Sequence, residues 1–156
     1  MKGAIFYTDG ACSGNPGAGG WAYVEVVPCS NGYETKVVSG NKKDTTNNEM
    51  ELTAVYMALV KALKEKKKQV TIYSDSAYVV NAITKGWLKN WNSNGWKTKE
   101  GNQIKNKTIW EKMYKLVYEK GMDVMFCRIK GHSGELFNEL ADKHAVNAKQ
   151  KVMEGK

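Results

Sequence analysis

Two short runs rich in β-branched and aromatic residues, Gly3–Asp9 and Val70–Asp75, flank a stretch with a different period. In that stretch, Asn47–Lys67, the residues Leu52, Val55, Tyr56, Leu59, Ala62 and Leu63 recur at helical spacing, with lysines on the other face. A strand, a helix and a second strand in succession demand a crossover connection. The sheet must therefore be partly parallel and carry helices on its faces. Between the first run and the helix lie Trp21–Pro28 and Tyr33–Gly40, joined by Cys29-Ser30-Asn31-Gly32 with its Asn-Gly hairpin signal. The first three strands thus predict an antiparallel meander. Beyond Asp75 the pattern predicts helices over Ser76–Lys85 and Thr108–Lys120, a strand over Met122–Lys130, a loop at Gly131–Gly134 and a last helix over about Phe137–Lys151. The expected order is βββ-α-β-α-α-β-α. Trp87–Lys107 is polar, basic and tryptophan-rich, with no element assigned to it. With no internal repeat, low-complexity tract or linker, residues 1–156 read as a single domain long enough for a real core.

The chain carries a net charge of +8, and all but one of its 24 basic residues are lysines, the exception being Arg128. Lysine is a compact point charge, suited to phosphate backbones rather than to reading base edges. Such a balance points to nucleic acid, although a lysine-rich solubility coat gives the same charge. Cys12, Cys29 and Cys127 are odd in number and form no CxxC pair. That argues against a disulfide framework or a zinc site and fits a reducing cytosol, so a cytoplasmic protein is expected. No apolar run is long enough to span a membrane, and the N-terminus lacks a signal-peptide core.

The two flanking runs end alike, in Phe6-Tyr7-Thr8-Asp9 and Ile72-Tyr73-Ser74-Asp75. In open α/β sheets, functional groups gather outside the carboxyl ends of parallel strands. If these strands are neighbours, Asp9 and Asp75 face one crevice, where two like charges need a positive group between them. A divalent cation fits, and oxygen-only ligands suit Mg2+. Each aspartate also has a local explanation: Asp9-Gly10 is a turn pair, and Asp75 precedes a helix. Thr46-Asn47-Asn48-Glu49 matches a capping box, which gives Glu49 a structural task. Glu51 has none. It sits at the margin of the buried face, either pointing back to the sheet or solvated. In the last helix Leu140, Ala141, His144, Ala145 and Ala148 form the expected buried stripe, so His144 reads as a core histidine, while Asn138 and Asp142 share one edge. His132, in the glycine-flanked Lys130-Gly131-His132-Ser133-Gly134, is suited to proton transfer near neutral pH.

Five segments, taken together and in order, resemble the type 1 ribonucleases H over nearly the whole chain. They are Tyr7-Thr8-Asp9-Gly10-Ala11-Cys12-Ser13-Gly14-Asn15-Pro16-Gly17, Thr45-Thr46-Asn47-Asn48-Glu49-Met50-Glu51-Leu52, Ser74-Asp75-Ser76, Gly95-Trp96-Lys97-Thr98, and His132-x-Gly-x-x-x-Asn138-Glu139-x-Ala141-Asp142. The resemblance implies the ribonuclease H-like α/β fold: a five-stranded mixed sheet, three antiparallel strands first and then parallel ones, flanked by helices. It implies that Asp9, Glu51, Asp75 and Asp142 bind metal at the active site and that His132 assists turnover. Asn15 and Thr46 match positions holding a DNA phosphate, Cys12, Asn47 and Asn48 match positions near the cut, and Asn81 matches an amide that contacts bases. Ala77 departs from the family, where glutamine is common.

The implied activity is hydrolysis of the RNA strand of RNA–DNA hybrids, leaving 5′-phosphate and 3′-hydroxyl ends. It would use two Mg2+ ions per active site with substrate (Mn2+ possible), bridged by Asp9: one activates water and the other holds the departing ribose 3′-oxygen. The Trp87–Lys107 segment is expected to take the DNA strand, with Trp87 and Trp91 against deoxyribose and Lys89, Lys97 and Lys99 against phosphates. Trp96 and Trp110 are expected to pin helices together. A monomer needing no protein partner and no membrane is expected. Junction resolvases, integrases and transposases share such a sheet and acidic cluster, but the Thr-Thr-Asn-Asn segment, the tryptophan-rich basic stretch and His132 speak against them. A hybrid-binding module without activity would be expected to lack some of the four carboxylates.

Overall fold

The computed structural model describes residues 3–129 and 136–155. The expected loop at Gly131–Gly134 and its His132 lie outside the described residues. Strands β1 (Ala4–Gly14), β2 (Gly17–Cys29), β3 (Gly32–Thr45), β4 (Gln69–Ser74) and β5 (Asp123–Arg128) form one sheet in the order β3-β2-β1-β4-β5. The pairs β1–β2 and β2–β3 are antiparallel, and β1–β4 and β4–β5 are parallel. Helix α1 (Asn47–Lys64) makes the crossover from the meander to β4, and α5 (Leu136–Met153) follows β5. Among the described residues no helix is long and apolar enough to cross a membrane.

The two principal helices take opposite faces. Gly10 lies opposite Trp21 in the β1–β2 ladder and looks onto α1, whereas Gly20 looks onto α5. The α1 face is thick with large side chains: Phe6, Tyr23, Leu52, Val55, Leu59, Ile72, Leu88, Trp110 and Met113 form one buried cluster. The α5 face is thin. Ala141, Ala145 and Ala148 are buried there, and a Cβ at Gly20 would lie 2.3 Å from the Ala145 carbonyl oxygen. Small residues thus let the helix backbone approach the sheet closely.

Several boundaries differ from expectation. β1 does not end at Asp9-Gly10 but runs to Gly14, and β2 begins at Gly17, because the backbone ladder continues through Gly14↔Gly17 where glycines hide any side-chain alternation. β3 continues past Gly40 to Thr45. It is an edge strand, exposed along nearly its whole length, and its Lys36, Lys42, Lys43 and Asp44 discourage pairing with another chain. α1 stops at Lys64 rather than Lys67: Lys66 takes a left-handed conformation (φ 60°), and the Lys66 and Lys67 amides donate to the carbonyls of Leu63 and Ala62. Three helices, not two, separate β4 from β5. They are α2 (Ala77–Thr84), α3 (Trp87–Ser93) inside the basic segment, and α4 (Lys107–Tyr114), which continues as a π-helical turn over Lys115–Glu119. The apolar anchors Leu88 and Ile104 are what fold that polar segment onto the core. Trp96 and Trp110 are buried as expected, and the Trp110 indole donates to the Tyr78 hydroxyl at 2.8 Å. The buried stripe of α5 is Asn138, Ala141, Ala145 and Ala148, so Leu140 and His144 fall at its half-exposed margin. His144 is therefore not a core histidine; it lines an open cleft with Ser39, Asn147 and Lys151.

One buried charge sits in the core side of the sheet. Glu25 on β2 is 4% exposed, and its Oε1 has no partner. Burial first, and then the neighbouring Glu65 carboxyl at the end of α1, raise it to about 7, against the partial pull of Lys36 and Lys61. Between the ordinary glutamate value and about 7, the folded chain holds a proton that the unfolded chain has released. Stability due to that proton is present at low pH and is lost as pH rises through the window. In thermal melts, Glu25→Gln is expected to gain on the parent as pH climbs; a difference in Tm independent of pH would show that the proton is not on Glu25.

Candidate active site

Parallel pairing of β1 with β4 places Tyr7 beside Tyr73 and Thr8 beside Ser74, so the aspartates that follow emerge side by side. Asp9 does not start a turn; its Oδ1 accepts the Gly10 amide at 2.9 Å within a continuing strand. Asp75 does not cap α2. Ser76 does, accepting the Val79 amide at 3.2 Å, and Asp75 is left with a buried Oδ1 that has no partner. Glu51 is not solvated but 6% exposed, with Oε1 likewise unpartnered. Gly10 brings it there. A Cβ at that position would lie 2.5 Å from the Glu51 amide nitrogen, so only glycine lets the first turns of α1 settle onto the strand.

One carboxylate oxygen from each of Asp9, Glu51 and Asp75 lies within 4.8 Å of the others. Asp142 comes from α5 on the opposite face, and its carboxyl stands within hydrogen-bonding reach of Asp9. Among the described residues, the ion pairs are Lys42–Glu49 and Lys61–Glu65, so no basic side chain neutralises this group. The electrostatic consequence is direct. Burial and then the Asp75 charge push Asp9 up to about 8, and burial followed by Asp9 and Asp75 pushes Glu51 well above the carboxylate range. The cluster can hold its full negative charge only around a cation. All-oxygen donors with orphaned buried lone pairs are the donor set of a hard divalent ion.

A second group surrounds the start of α1. The Asn15 side-chain oxygen accepts the Asn47 amide at 3.0 Å, Thr46 Oγ1 accepts the Glu49 amide at 3.1 Å, and the Cys12 thiol donates to the Thr45 carbonyl at 3.3 Å. Cys12, Asn15, Thr46 and Asn47 are thus neighbours, with Asn47 and Asn48 exposed at the helix start. The capping box is only half formed. Glu49 does not reach back to Thr46; its carboxylate instead accepts from Thr45 Oγ1 at 2.5 Å and from Lys42 at 2.6 Å, which holds it below the ordinary glutamate value despite its burial.

The remaining sequence-derived candidates lie on α2, on α3 and in the turn after it. Asn81 is half-buried on α2. Trp87 is exposed, whereas Trp91 is half-buried against Trp110 at 5.4 Å. Lys97 and Lys99 are exposed, and the Lys89 ammonium sits 5.1 Å from the centre of the Tyr118 ring. One contribution escaped sequence reasoning: Gly10, which reads as a turn residue because its role depends on a helix forty residues away. Asn138, which shares an edge of α5 with Asp142, is buried to 2% exposure one turn before it with an unpartnered Oδ1.

Comparison with known proteins agrees with this geometry. The RNase H family model matches residues 1–150. A ribonuclease H of Syntrophomonas wolfei is 47% identical over 148 residues, covering 95% of this chain and 97% of its own. LC9-RNase H1, described as a type 1 RNase H with the type 2 active-site motif, superposes with a TM-score of 0.80 at 31% identity over 94% of this chain and 72% of that one. A foamy viral protease-reverse transcriptase solved in complex with RNA/DNA hybrid matches at a TM-score of 0.80 and 25% identity, over 94% of this chain and 20% of that one. Sheet order, acidic trio and sequence identity converge, and the chain belongs to the RNase H family of nuclease hydrolases.

Proposed function

We propose that this enzyme hydrolyses the RNA strand of RNA–DNA hybrids at Asp9, Glu51, Asp75 and Asp142, with Mg2+ as its ion and Mn2+ as a substitute. The observation that carries the reading is the trio of carboxylates within 4.8 Å of one another, Asp9 and Glu51 buried and Asp75 half-buried, with no ion-pair partner among the described residues. The relative solved with RNA/DNA hybrid supports the substrate class. Two divalent ions bound there with substrate would activate the attacking water and stabilise the departing ribose oxygen. Asp9 lies close to the other three acids and would be the residue to hold both ions. Exposed Asn47 and Asn48, one turn before Glu51, offer backbone groups to the RNA 2′-hydroxyl, the group that separates RNA from DNA. Asn15 and Thr46 position a DNA phosphate, with Cys12 beside them. Trp87, Trp91, Lys89, Lys97 and Lys99 hold the DNA strand, Asn81 contacts bases, and His132 moves a proton during turnover. The products carry 5′-phosphate and 3′-hydroxyl ends, and the enzyme works as a monomer. A labelled hybrid, cut with and without Mg2+ and analysed for its ends, tests the whole reading; duplex DNA and four-way junctions serve as competing substrates.

Three outcomes are expected. Asp9→Asn abolishes cleavage while hybrid affinity holds or improves, because a negative charge leaves the phosphate path; near-normal turnover would contradict the site. Lys89→Ala with Lys99→Ala weakens binding and flattens its salt dependence, by a log–log slope of roughly 0.9 for each phosphate no longer neutralised, at nearly unchanged saturated rate. An unaltered slope would remove this segment from the interface. Asp9 is raised to about 8 in the fold, so the metal-free protein should lose stability as pH rises from the ordinary aspartate range through 8. Mg2+ displaces that proton and should restore the Tm, more strongly at high pH than at low; a pH-independent Mg2+ effect would mean that the ion binds elsewhere.

A further inference from the structure

Two residues before each strand-borne aspartate stands a tyrosine. Tyr7 and Tyr73 are direct partners in the β1–β4 ladder, and their rings stack with centroids 4.5 Å apart and planes 13° from parallel. Phe137, in the first turn of α5, meets the Tyr7 ring at 5.3 Å and is met edge-on by Tyr33 at 5.1 Å. Residues two apart on a strand share a face, so Tyr7 lies one pleat below Asp9, about 6.6 Å away, while Tyr73 stands two residues before Asp75, which directly follows the last residue of β4. Helix α5 runs alongside β1 in the same sense: Phe137 meets Tyr7, and Asp142 meets Asp9. Five helical residues rise about 7.5 Å, close to the strand's two-residue step. A ring layer drawn from β4, β1 and α5 thus repeats, one level down, the carboxylate layer of Asp75, Asp9 and Asp142.

We propose that Tyr73, Tyr7 and Phe137 form a positioning brace that sets the spacing of the metal-binding carboxylates and holds them together against their mutual repulsion before a cation arrives. The proposal rests on the metal-site reading above. The brace acts through its rings, not through the phenol hydroxyls, and none of the three is a catalytic residue. Its signature is therefore a change in metal affinity rather than in hybrid binding.

The test uses the full chain without substrate, titrated with Mn2+ by calorimetry well below the Tm of each variant, together with cleavage rate against Mg2+ concentration. Tyr73→Leu and Phe137→Leu are expected to weaken Mn2+ binding about tenfold and to raise the Mg2+ needed for half-maximal cleavage, with hybrid affinity in chelator within about twofold of the parent. Tyr73→Phe, which keeps the ring, should match the parent. Folded Leu variants with the parent's Mn2+ affinity would overturn the brace, as would a Tyr73→Phe variant as impaired as Tyr73→Leu. Phe137 is half-exposed at a helix end, so Phe137→Leu decides the matter where Tyr73→Leu fails to fold. A parent chain that binds no Mn2+ would defeat the metal-site reading itself, whereas a parent that binds it equally with all its variants would defeat only the brace.

Discussion

Carboxylates resist being buried together, and the architecture around Asp9 works against that resistance. Desolvation and mutual repulsion act in the same direction on Asp9 and Glu51, which is why both favour their protonated forms in the metal-free protein. Among the described residues no basic side chain pairs with them. The fold brings them together all the same because each carboxylate is carried by a different rigid element: β1, α1, the end of β4, and α5. Their approach is dictated by packing elsewhere. The large apolar cluster between α1 and the sheet and the close alanine–glycine contact of α5 hold elements that their charged ends would push apart.

Glycine decides how near those elements come. At Gly10 the helix carrying Glu51 lies against the strand carrying Asp9, and at Gly20 the helix carrying Asp142 lies against the neighbouring strand. A side chain at either position would meet helix backbone rather than a flexible side-chain tip. The two faces of the sheet therefore reach the same end of β1 by different means: one through a thick aromatic and aliphatic core, the other through small residues. The first anchors the molecule, and the second brings the fourth carboxylate within reach.

Much of this was legible in the chain. Helical spacing from Leu52 to Leu63, the Asn-Gly hairpin signal and the strand–helix–strand succession imply a mixed sheet, and that is the sheet observed. Elements with one strongly apolar face were readable because their period is local. The far half of β1, the end of β3 and helix α3 were not. Their residues are glycine, charged or tryptophan-rich, and what orders them is a ladder partner or a buried Leu88 supplied from a distance. His144 was misjudged for the same reason: a stripe counted along one helix cannot say where a neighbouring sheet ends.

The sequence by itself determined the chemistry available: four acids on motif positions, a lysine-rich surface and the order of strands and helices. It did so because residue type and local period need no partner to be read. Only the tertiary structure decided which local explanation each acid would take. Asp9 could have opened a turn, Asp75 could have capped a helix and Glu51 could have faced water. Parallel pairing of β1 with β4 and the close seat of α1 on Gly10 bring all three together, Asp9 and Glu51 buried and Asp75 half-buried, since burial is a property of what surrounds a residue and not of the residue itself.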